Sequence, residues 1–289
     1  ICFNWFRWNL CFNKKLSEEN LCAAFWLSGN FTSKFHENFP DFPLINELAD
    51  RISFYSENNL EFNIDQIFPC GDEIGELSDK NKFILSHTKQ TKIWFRFKKN
   101  KFKEAIQILN QKSIEIDSIL EDYYTLGFIK NLDFEKIFGN YHIFGEVQDL
   151  SSVKSIPAQF KPGEKLWDVC AGAGGKSLLI ADRYNDTQIY ASDIRSNIIE
   201  NLKKRFQLAQ IQIPIVFEHD GEKIIHKSST SIHQIIQSKN DGFNSILADV
   251  PCSGSGTWSR NPEFMASFSS EKIIKYSEKQ KQIVLNALP

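Results

Sequence analysis

The residues with the clearest capacity for chemistry lie in the segment Asp249-Val-Pro-Cys252, which brings a carboxylate and a thiol together just after an apolar strand pattern. A thiol in that place favours chemistry at carbon, because a thiolate can add to a ring carbon and leave again. C5 of cytosine becomes nucleophilic once a thiolate has added to C6, and the enamine so formed can attack a methyl sulfonium. The simpler interpretation of Cys252 is a small buried core residue. The place of Cys252 in a loop beside Pro251 favours a functional site over a core position.

A second candidate is a glycine-rich turn after an earlier strand pattern. Its residues are Cys170, Ala171, Gly172, Ala173, Gly174, Gly175 and Lys176. Three glycines let the backbone turn sharply and approach a ligand, and the helix that follows offers free N–H groups. The spacing G-x-G-G differs from the G-x-G-x-x-G of a dinucleotide site and from that of a P-loop. An ordinary tight turn between strand and helix is the alternative.

Two acidic residues follow the next two strand patterns. Asp193 lies 18 residues after Gly175 and can accept hydrogen bonds from both hydroxyls of a ribose, as nicotinamide enzymes also arrange. Asp220 can accept from the amino group of an adenine. The alternatives are that Asp193 caps the following helix and that Asp220 is a turn residue. These residues predict a nucleoside cofactor without saying which one.

An α/β scaffold must hold these residues, and the pattern of residues 146–289 predicts one. Strands are predicted at 165–170, 188–192, 213–217 and 243–248, and helices at 177–184 and 197–209. Such alternation predicts a doubly wound, mainly parallel, Rossmann-like sheet. Ligands bind at the carboxyl ends of strands in that architecture, and all the candidate residues fall there.

The preceding residues predict two further domains. Residues 1–79 show helical spacing of apolar residues, with Ser17 as a weak N-cap, and predict a helical N-terminal domain. Residues 80–145 mix strand and helix patterns and predict a small α/β module. Within residues 80–103 there are nine Lys or Arg and no acid. These charges are interleaved with Trp94, Phe95 and Phe97, which favours an RNA surface. A solvated face whose aromatic residues belong to the core is the alternative.

Together these motifs resemble the RNA cytosine-5 methyltransferases of the Sun/Fmu type, the family of ribosomal RNA small subunit methyltransferase B. Asp168-Val-Cys-Ala-Gly-Ala-Gly-Gly-Lys176 is similar to the family's cofactor loop, usually Cys-Ala-Ala-Pro-Gly-Gly-Lys. Asp249-Val-Pro-Cys-Ser-Gly254, followed by Arg260-Asn-Pro-Glu263, resembles its Asp-Ala-Pro-Cys-Ser motif and downstream Arg-x-Pro. The resemblance covers residues 145–289 and extends more loosely upstream, where the family carries an RNA-binding module and often a helical domain.

The resemblance implies a cofactor and a role for each residue. The cofactor is S-adenosylmethionine, bound by the loop at 170–176, with Asp193 on its ribose and Asp220 on its adenine. Asp249 contacts the methionine part of the cofactor and the target base. Cys252 corresponds to the cysteine that assists release of the methylated RNA.

Two departures from the family pattern bear on activity. Ala173 stands where the family has Pro, a change that relaxes the loop without distorting it. The family's nucleophile lies in a Thr-Cys motif on a later strand, and this sequence contains no such motif. The expected strand order, 3-2-1-4, also leaves the strand at 243–248 at an open edge. We therefore expect this chain by itself to fold poorly and not to complete methyl transfer.

The predicted function is transfer of a methyl group from S-adenosylmethionine to C5 of a cytosine in RNA, taken as ribosomal RNA, through a covalent cysteine–pyrimidine adduct. The alternative is a non-catalytic RNA-binding or ribosome-assembly protein with a vestigial methyltransferase fold. The joint presence of Lys176, Asp193, Asp249 and Cys252 counts against that alternative. A nicotinamide dehydrogenase, a third hypothesis, has no use for the Pro-Cys segment.

The composition sets broader limits on compartment and partners. No apolar run reaches about eighteen residues, so no membrane span is expected. Six cysteines are scattered without C-x-x-C or zinc spacing, which predicts no metal, no disulfide framework and a reduced, cytoplasmic compartment. The net charge of −2 argues against broad binding to nucleic acid and leaves room for a local docking surface. We expect a monomer.

Overall fold

A computed structural model describes residues 2–29, 33–71, 75, 79–88, 91–156, 163–222 and 242–288. In chain order the helices are α1 (Cys2–Trp8), α2 (Glu18–Leu27), α3 (Ser33–Asn38), α4 (Leu48–Asn58), α5 (Lys80–Ser86), α6 (Phe102–Gln111), α7 (Phe134–Phe138), α8 (Leu150–Lys154), α9 (Gly175–Arg183), α10 (Ser196–Leu208), α11 (Pro262–Ala266) and α12 (Glu271–Ala287). The strands are β1 (Ile93–Phe97), β2 (Ser118–Leu120), β3 (Thr125–Phe128), β4 (Gly145–Val147), β5 (Lys165–Asp168), β6 (Gln188–Asp193), β7 (Ile215–Glu218) and β8 (Ser245–Leu247). Within these described ranges no helix has the length and apolar character needed to cross a membrane.

The chain forms two compact units. One comprises Ile1–Thr91 with Cys252–Ser277, and the other comprises Lys92–Pro251 with Glu278–Pro289. The predicted division into three domains stays a prediction.

The first unit is helical in its described part, and aromatic side chains fill its core. Helix α2 begins at Glu18 because the Ser17 hydroxyl accepts a hydrogen bond from the Asn20 amide at 3.1 Å, the predicted N-cap. The rings of Trp8 and Trp26 are fully buried. Their indole N–H groups donate to Ser28 Oγ and to the Pro43 carbonyl, so neither polar edge is left unpaired.

A small antiparallel sheet of order β2-β3-β1-β4 begins the second unit. Strand β1 pairs with β3 at Phe95↔Leu126 and with β4 at Phe97↔Gly145. One face of the sheet packs on helices α6 and α7 through a largely aromatic core. The mixture of strands and helices that the sequence patterns predict for this part of the chain is present, for example in β1 and α6.

The aromatic part of the predicted RNA surface is wrong for Phe95 and Phe97. Their side chains are 0% and 1% exposed and lie in the core, so they cannot stack on bases. The alternation of basic and aromatic residues gave a wrong prediction because Arg96, between the two phenylalanines, is also buried. Its guanidinium pairs with Asp182 at 3.1 Å, so both faces of β1 are covered. The basic stretch is also divided, since residues 80–91 belong to the first unit and residues 92–103 to the second.

The rest of the second unit is a parallel sheet of order β7-β6-β5-β8, which confirms the predicted order 3-2-1-4 and the predicted fold class. Side chains of successive strand residues point to opposite faces. Leu166 and Ile189 therefore pack under helix α9 on one face, while Trp167 and Tyr190 pack against Ile283 of α12 on the other. Helices on both faces define a doubly wound sheet. Among the described residues β8 pairs with β5 alone.

Candidate cofactor site

The carboxyl ends of the four parallel strands surround a cavity of about 310 Å³. Its walls are formed by Cys170, Asp193, Ile194, Arg195, His219, Asp220, Gly221, Glu222, Asp249, Pro251, Lys279 and Ile283. Every strand contributes, because Cys170 follows β5, Asp193 ends β6, Asp220 follows β7 and Asp249 follows β8. This is the edge of a doubly wound sheet where ligands bind.

A second cavity of about 230 Å³ adjoins the first, since Cys170 and Asp249 line both. Its other walls are Val147, Gln148, Asp149, Ser152, Asp168, Ala171, Gly175, Lys176 and Arg205. The structure therefore brings Lys176 and the three predicted carboxylates to one edge of the sheet. Their roles stay predictions.

The glycine-rich turn is held in a shape that needs glycine. Gly172 and Gly174 have φ of +54° and +80°, a region that L-residues with a side chain rarely adopt. A Cβ on Gly174 would also lie 2.7 Å from Leu202 Cγ of helix α10. The turn therefore packs closely against α10, and helix α9 begins at Gly175, which with Lys176 lines the second cavity.

Asp193 is the most strongly hydrogen-bonded carboxylate of the site. Its Oδ2 accepts from the Gly172 amide at 3.0 Å, and its Oδ1 accepts from the Arg195 amide at 3.0 Å. The Arg195 guanidinium adds bonds to both oxygens, at 2.9 and 3.1 Å. Burial pushes the pKa of Asp193 upward, but these donors outweigh it and the pKa is lowered. Asp193 is therefore an anion. The exposed side chain of Arg195 donates hydrogen bonds to the same carboxylate oxygens that would accept the hydroxyls of a ribose.

The far wall of the first cavity follows β7. Asp220 Oδ1 accepts a hydrogen bond from the Glu222 amide at 3.1 Å, which fixes its carboxylate beside His219. Burial lowers the pKa of His219, so its ring is neutral near pH 7. Lys279 pairs with Glu222 at 2.6 Å across the mouth of the cavity. This wall offers acceptors and an uncharged ring, which suits an adenine base.

Lys176 lines the second cavity together with two carboxylates, Asp168 and Asp249. Lys176 Nζ lies 2.5 Å from Asp249 Oδ2. Beneath them Asp168, 1% exposed, accepts a hydrogen bond from Ser177 Oγ at 2.6 Å through Oδ2. Its other oxygen, Oδ1, is buried without a hydrogen-bond partner among the described residues. Burial raises the pKa of Asp168 to about 7 despite the bond from Ser177.

The sequence motifs included Asp168, yet sequence reasoning did not select it as a site residue. The available signal was its position, since it is the last residue of β5 and directly precedes the glycine-rich turn. Aspartate is almost never fully buried, and only the structure shows that this one is.

We expect Asp168→Asn to flatten the pH dependence of stability. The unfolded pKa of aspartate is about 3.9, so between that value and the folded value of about 7 the folded chain holds a proton that the unfolded chain has lost. The free energy of unfolding due to this group therefore falls as pH rises through that window. Asparagine has the same shape and no proton to lose. We expect the stability of the variant relative to the wild type to be about 1–3 kcal/mol greater at pH 8 than at pH 5.

Urea denaturation of both proteins at the two pH values measures this difference. Asp186→Asn, at an exposed turn, is the matched control and should leave the pH dependence unchanged. If the free energies of unfolding of the wild type and of Asp168→Asn change in parallel with pH, Asp168 is ionised in the folded chain.

The two cysteines that the sequence predicts as site residues, Cys170 and Cys252, differ in environment. Burial, followed by the charge of Asp193, raises the pKa of Cys170 to about 11, so this thiol is unreactive near neutral pH. Cys252 is exposed, in a turn where the Gly254 amide points to its sulfur at 3.4 Å. Pro251, the residue before it, lines the first cavity. Cys252 thus has the accessibility that a reacting thiol needs, and its catalytic role stays a prediction.

A larger cavity, of about 480 Å³, lies at the opposite ends of β6 and β7, between Gln188 and Pro214. Its walls carry isoleucine side chains beside Asn185, Asp186, Thr187, Gln188 and Gln212, and none of the predicted site residues lines it. Size alone therefore does not select it over the carboxyl ends of the strands.

The sheet order, the glycine-rich turn after β5 and the carboxylate that ends β6 define the class: a Rossmann-like protein with a site for a nucleoside cofactor. Comparison with known proteins indicates a narrower class. Residues 157–289 match the family model described as 16S rRNA methyltransferase RsmB/F. These residues are therefore similar to the RNA cytosine-5 methyltransferases of the Sun/Fmu type, which confirms the resemblance predicted from the motifs.

Individual relatives agree with this family. The chain is 29% identical over 140 residues to Ribosomal RNA small subunit methyltransferase B of Photorhabdus laumondii, covering 48% of this chain and 30% of that protein. It is 27% identical over 135 residues to the human tRNA (cytosine(72)-C(5))-methyltransferase NSUN6, covering 44% and 27%. The crystal structure of PH0851 aligns with a TM-score of 0.66 and 23% identity over 93% of this chain and 64% of that one, which shows the fold. The chain spans about a third of the length of the curated relatives it matches.

S-adenosylmethionine is the cofactor that this family implies, and the residues present fit it. The first cavity offers an ionised carboxylate for ribose hydroxyls in Asp193 and an acceptor for an adenine amine in Asp220. The second has room for a short chain ending in an ammonium and a carboxylate. The unpartnered oxygen of Asp168 and the ammonium of Lys176 are complementary to those two groups.

Proposed function

We propose that this chain binds S-adenosylmethionine and serves in the transfer of its methyl group to C5 of a cytosine in RNA, with ribosomal RNA as the substrate. The observation that carries the proposal is the pair of adjoining cavities that share Cys170 and Asp249. One cavity has the groups that a nucleoside needs, and the other has those that an amino acid needs. The names of the relatives, which methylate C5 of cytosine in ribosomal or transfer RNA, supply the reaction.

The chain's residues divide the binding of the cofactor among them. Asp193 accepts the ribose hydroxyls, with the bonds from the Arg195 side chain giving way. Asp220 accepts the adenine amine. The turn at 170–176 lies along the cofactor, and Lys176 and Asp249 face its methionine end. When bound, S-adenosylmethionine supplies an electrophilic methyl group carried on sulfur.

The target cytosine is activated by sulfur chemistry. A thiolate would form a bond to C6, which makes C5 an enamine carbon. C5 would then take the methyl group as the bond from that methyl to the sulfonium sulfur breaks and leaves a neutral thioether. A base would remove the C5 proton as the bond between C6 and the thiolate sulfur breaks and the thiolate leaves. The family resemblance assigns the attacking thiolate to a Thr-Cys motif, which these 289 residues do not contain. Cys252 assists the release step, and its exposure supports that role.

The remaining parts of the chain deliver the RNA in this proposal. Residues 1–79 form a helical domain and residues 80–145 an RNA-binding module, ahead of the methyltransferase domain at 146–289. The exposed lysines of the module, Lys99 and Lys103, are placed to contact phosphates. We place the protein in the cytoplasm, as a monomer.

Isothermal titration calorimetry with S-adenosylhomocysteine and with NAD tests the cofactor assignment. We expect saturable binding of S-adenosylhomocysteine, at least about a hundredfold tighter than NAD, because the second cavity suits an amino acid and not a second nucleotide. Tight binding of NAD would overturn the proposal. Absence of binding by either would favour the alternative, a vestigial fold in an RNA-binding protein.

A further inference from the structure

The cofactor loop at 170–176 is tied to the small antiparallel sheet through helix α10. Arg205 of α10 donates from Nη1 to the Ala173 carbonyl at 2.8 Å. Its other terminal nitrogen, Nη2, donates to Glu146 Oε2 of strand β4 at 2.9 Å. Residue 146 is 59 positions from 205, so this contact exists only when the two sheets are docked. One guanidinium thus joins the small module to the middle of the loop.

A second connection reaches the end of the same loop. Gln148, which follows β4, donates from Nε2 to the Gly175 carbonyl at 3.3 Å. Its amide oxygen accepts from Arg96 Nε of strand β1 at 2.9 Å. Arg96 is in turn paired with Asp182 of helix α9 at 3.1 Å. The Gln148 side chain is therefore fixed at one end by the small sheet and meets the loop at the other.

Burial leaves the charged side chains in these contacts few possible partners. The side chains of Arg96 and Glu146 are 2% and 6% exposed, so their charges are satisfied only by the partners described. Glu146 also accepts from His142 Nδ1 at 2.6 Å, which holds its carboxylate toward Arg205. Gln148 and Arg205 both line the second cavity, where the methionine end of the cofactor is proposed to lie.

We propose that Arg205 and Gln148 are positioning residues through which the small α/β module holds the cofactor loop in its binding shape. The module is then a structural part of the cofactor site as well as a docking place for RNA. The inference rests on the proposed function, because it takes this loop as the one that holds S-adenosylmethionine. Neither residue has to touch the cofactor for the effect to arise.

Arg205→Met and Arg205→Lys test the proposal. Methionine removes both bonds, while Glu146 keeps His142 as a partner and Arg96 keeps Asp182, so we expect the fold to survive. Lysine keeps the charge for Glu146 and one donor for the loop. We expect binding of S-adenosylhomocysteine to weaken by about tenfold to a hundredfold in Arg205→Met and to recover most of the way in Arg205→Lys. Lys203→Met, on the same helix but paired only with Glu200 among the described contacts, is the matched control and should bind as the wild type does.

Hydrogen exchange of the backbone amides, measured without ligand, separates this proposal from the proposed function. We expect Arg205→Met to speed exchange in residues 171–176 while leaving exchange in β1 and β3 unchanged. Wild-type protein that fails to bind S-adenosylhomocysteine would overturn the function and leave the exchange result valid. Unchanged exchange in residues 171–176, or faster exchange throughout the second unit, would overturn the positioning role.

Discussion

Replacing Asp193 with alanine is expected to reduce binding of S-adenosylhomocysteine at least about a hundredfold, because two hydrogen bonds from ribose hydroxyls to an ionised carboxylate are lost. Each such bond is worth roughly 1.5–3 kcal/mol in a buried setting. The Asp193 carboxylate is 6% exposed and is kept ionised by four N–H donors. Water therefore does not replace the hydrogen bonds that the ribose loses in the alanine variant. Asp193→Asn keeps an acceptor for the Gly172 amide, and we expect it to lose less affinity than the alanine variant.

Arg195→Ala is the informative control for this prediction. In the structure Arg195 donates to both oxygens of Asp193, so ribose hydroxyls must displace its guanidinium. The Arg195 side chain is 59% exposed, and exposed ion pairs contribute about 0–1 kcal/mol. We therefore expect Arg195→Ala to bind S-adenosylhomocysteine as tightly as the wild type or up to about fivefold more tightly.

Titration calorimetry on the three variants and the wild type, with circular dichroism to confirm folding, decides the matter. Affinity in Asp193→Ala that equals the wild-type value would show that the nucleoside lies elsewhere. A loss of affinity in Arg195→Ala as large as that in Asp193→Ala would make Arg195 a ligand of the cofactor, and the ribose would then not be bound by the carboxylate alone.

The parallel sheet and its site could be predicted because the relevant signals are local. Alternation of strand and helix patterns specifies a parallel sheet, and strand order follows from the handedness of the crossovers. The turn at 170–176 and the acids at 193, 220 and 249 each lie at or just after the end of a strand. The rule that ligands bind at the carboxyl ends of parallel strands therefore places all of them at one edge of the sheet. The bounds of β8 were less accurate, since the structure has Ser245–Leu247 where residues 243–248 were predicted.

The features that could not be predicted depend on pairs far apart in the chain. Arg96 looked like part of a basic surface, yet its partner Asp182 lies 86 positions away and draws it into the interior. The side chains of Phe95 and Phe97 are buried as well, on the opposite face of β1. The contact between Arg205 and Ala173 likewise spans 32 positions and has no sequence signature. A charged residue in a strand does not reveal whether it faces water or a buried counterion.

Gly145→Ala is expected to destabilise the second unit by at least about 3 kcal/mol, at the upper end of what overpacking causes. A Cβ on Gly145 would lie 2.0 Å from the Arg96 carbonyl oxygen and 2.8 Å from Phe97 Cα. These are backbone atoms of β1, so no rotation of a side chain can relieve the clash, and the pairing of β1 with β4 must open.

The loss extends beyond stability, because β4 carries Glu146 and leads into Gln148. If β4 separates from β1, both side chains leave the positions from which they hold the cofactor loop, and binding of S-adenosylhomocysteine should fall together with the melting temperature. Gly242→Ala is the control, since a Cβ there meets no atom of the described residues within 4 Å and its φ is not positive. Thermal melting of the two variants beside the wild type should show a large decrease for Gly145→Ala alone. An equal melting temperature for all three would mean that β1 and β4 are farther apart in solution than this register allows, and the connection from the small sheet to the loop would lose its support.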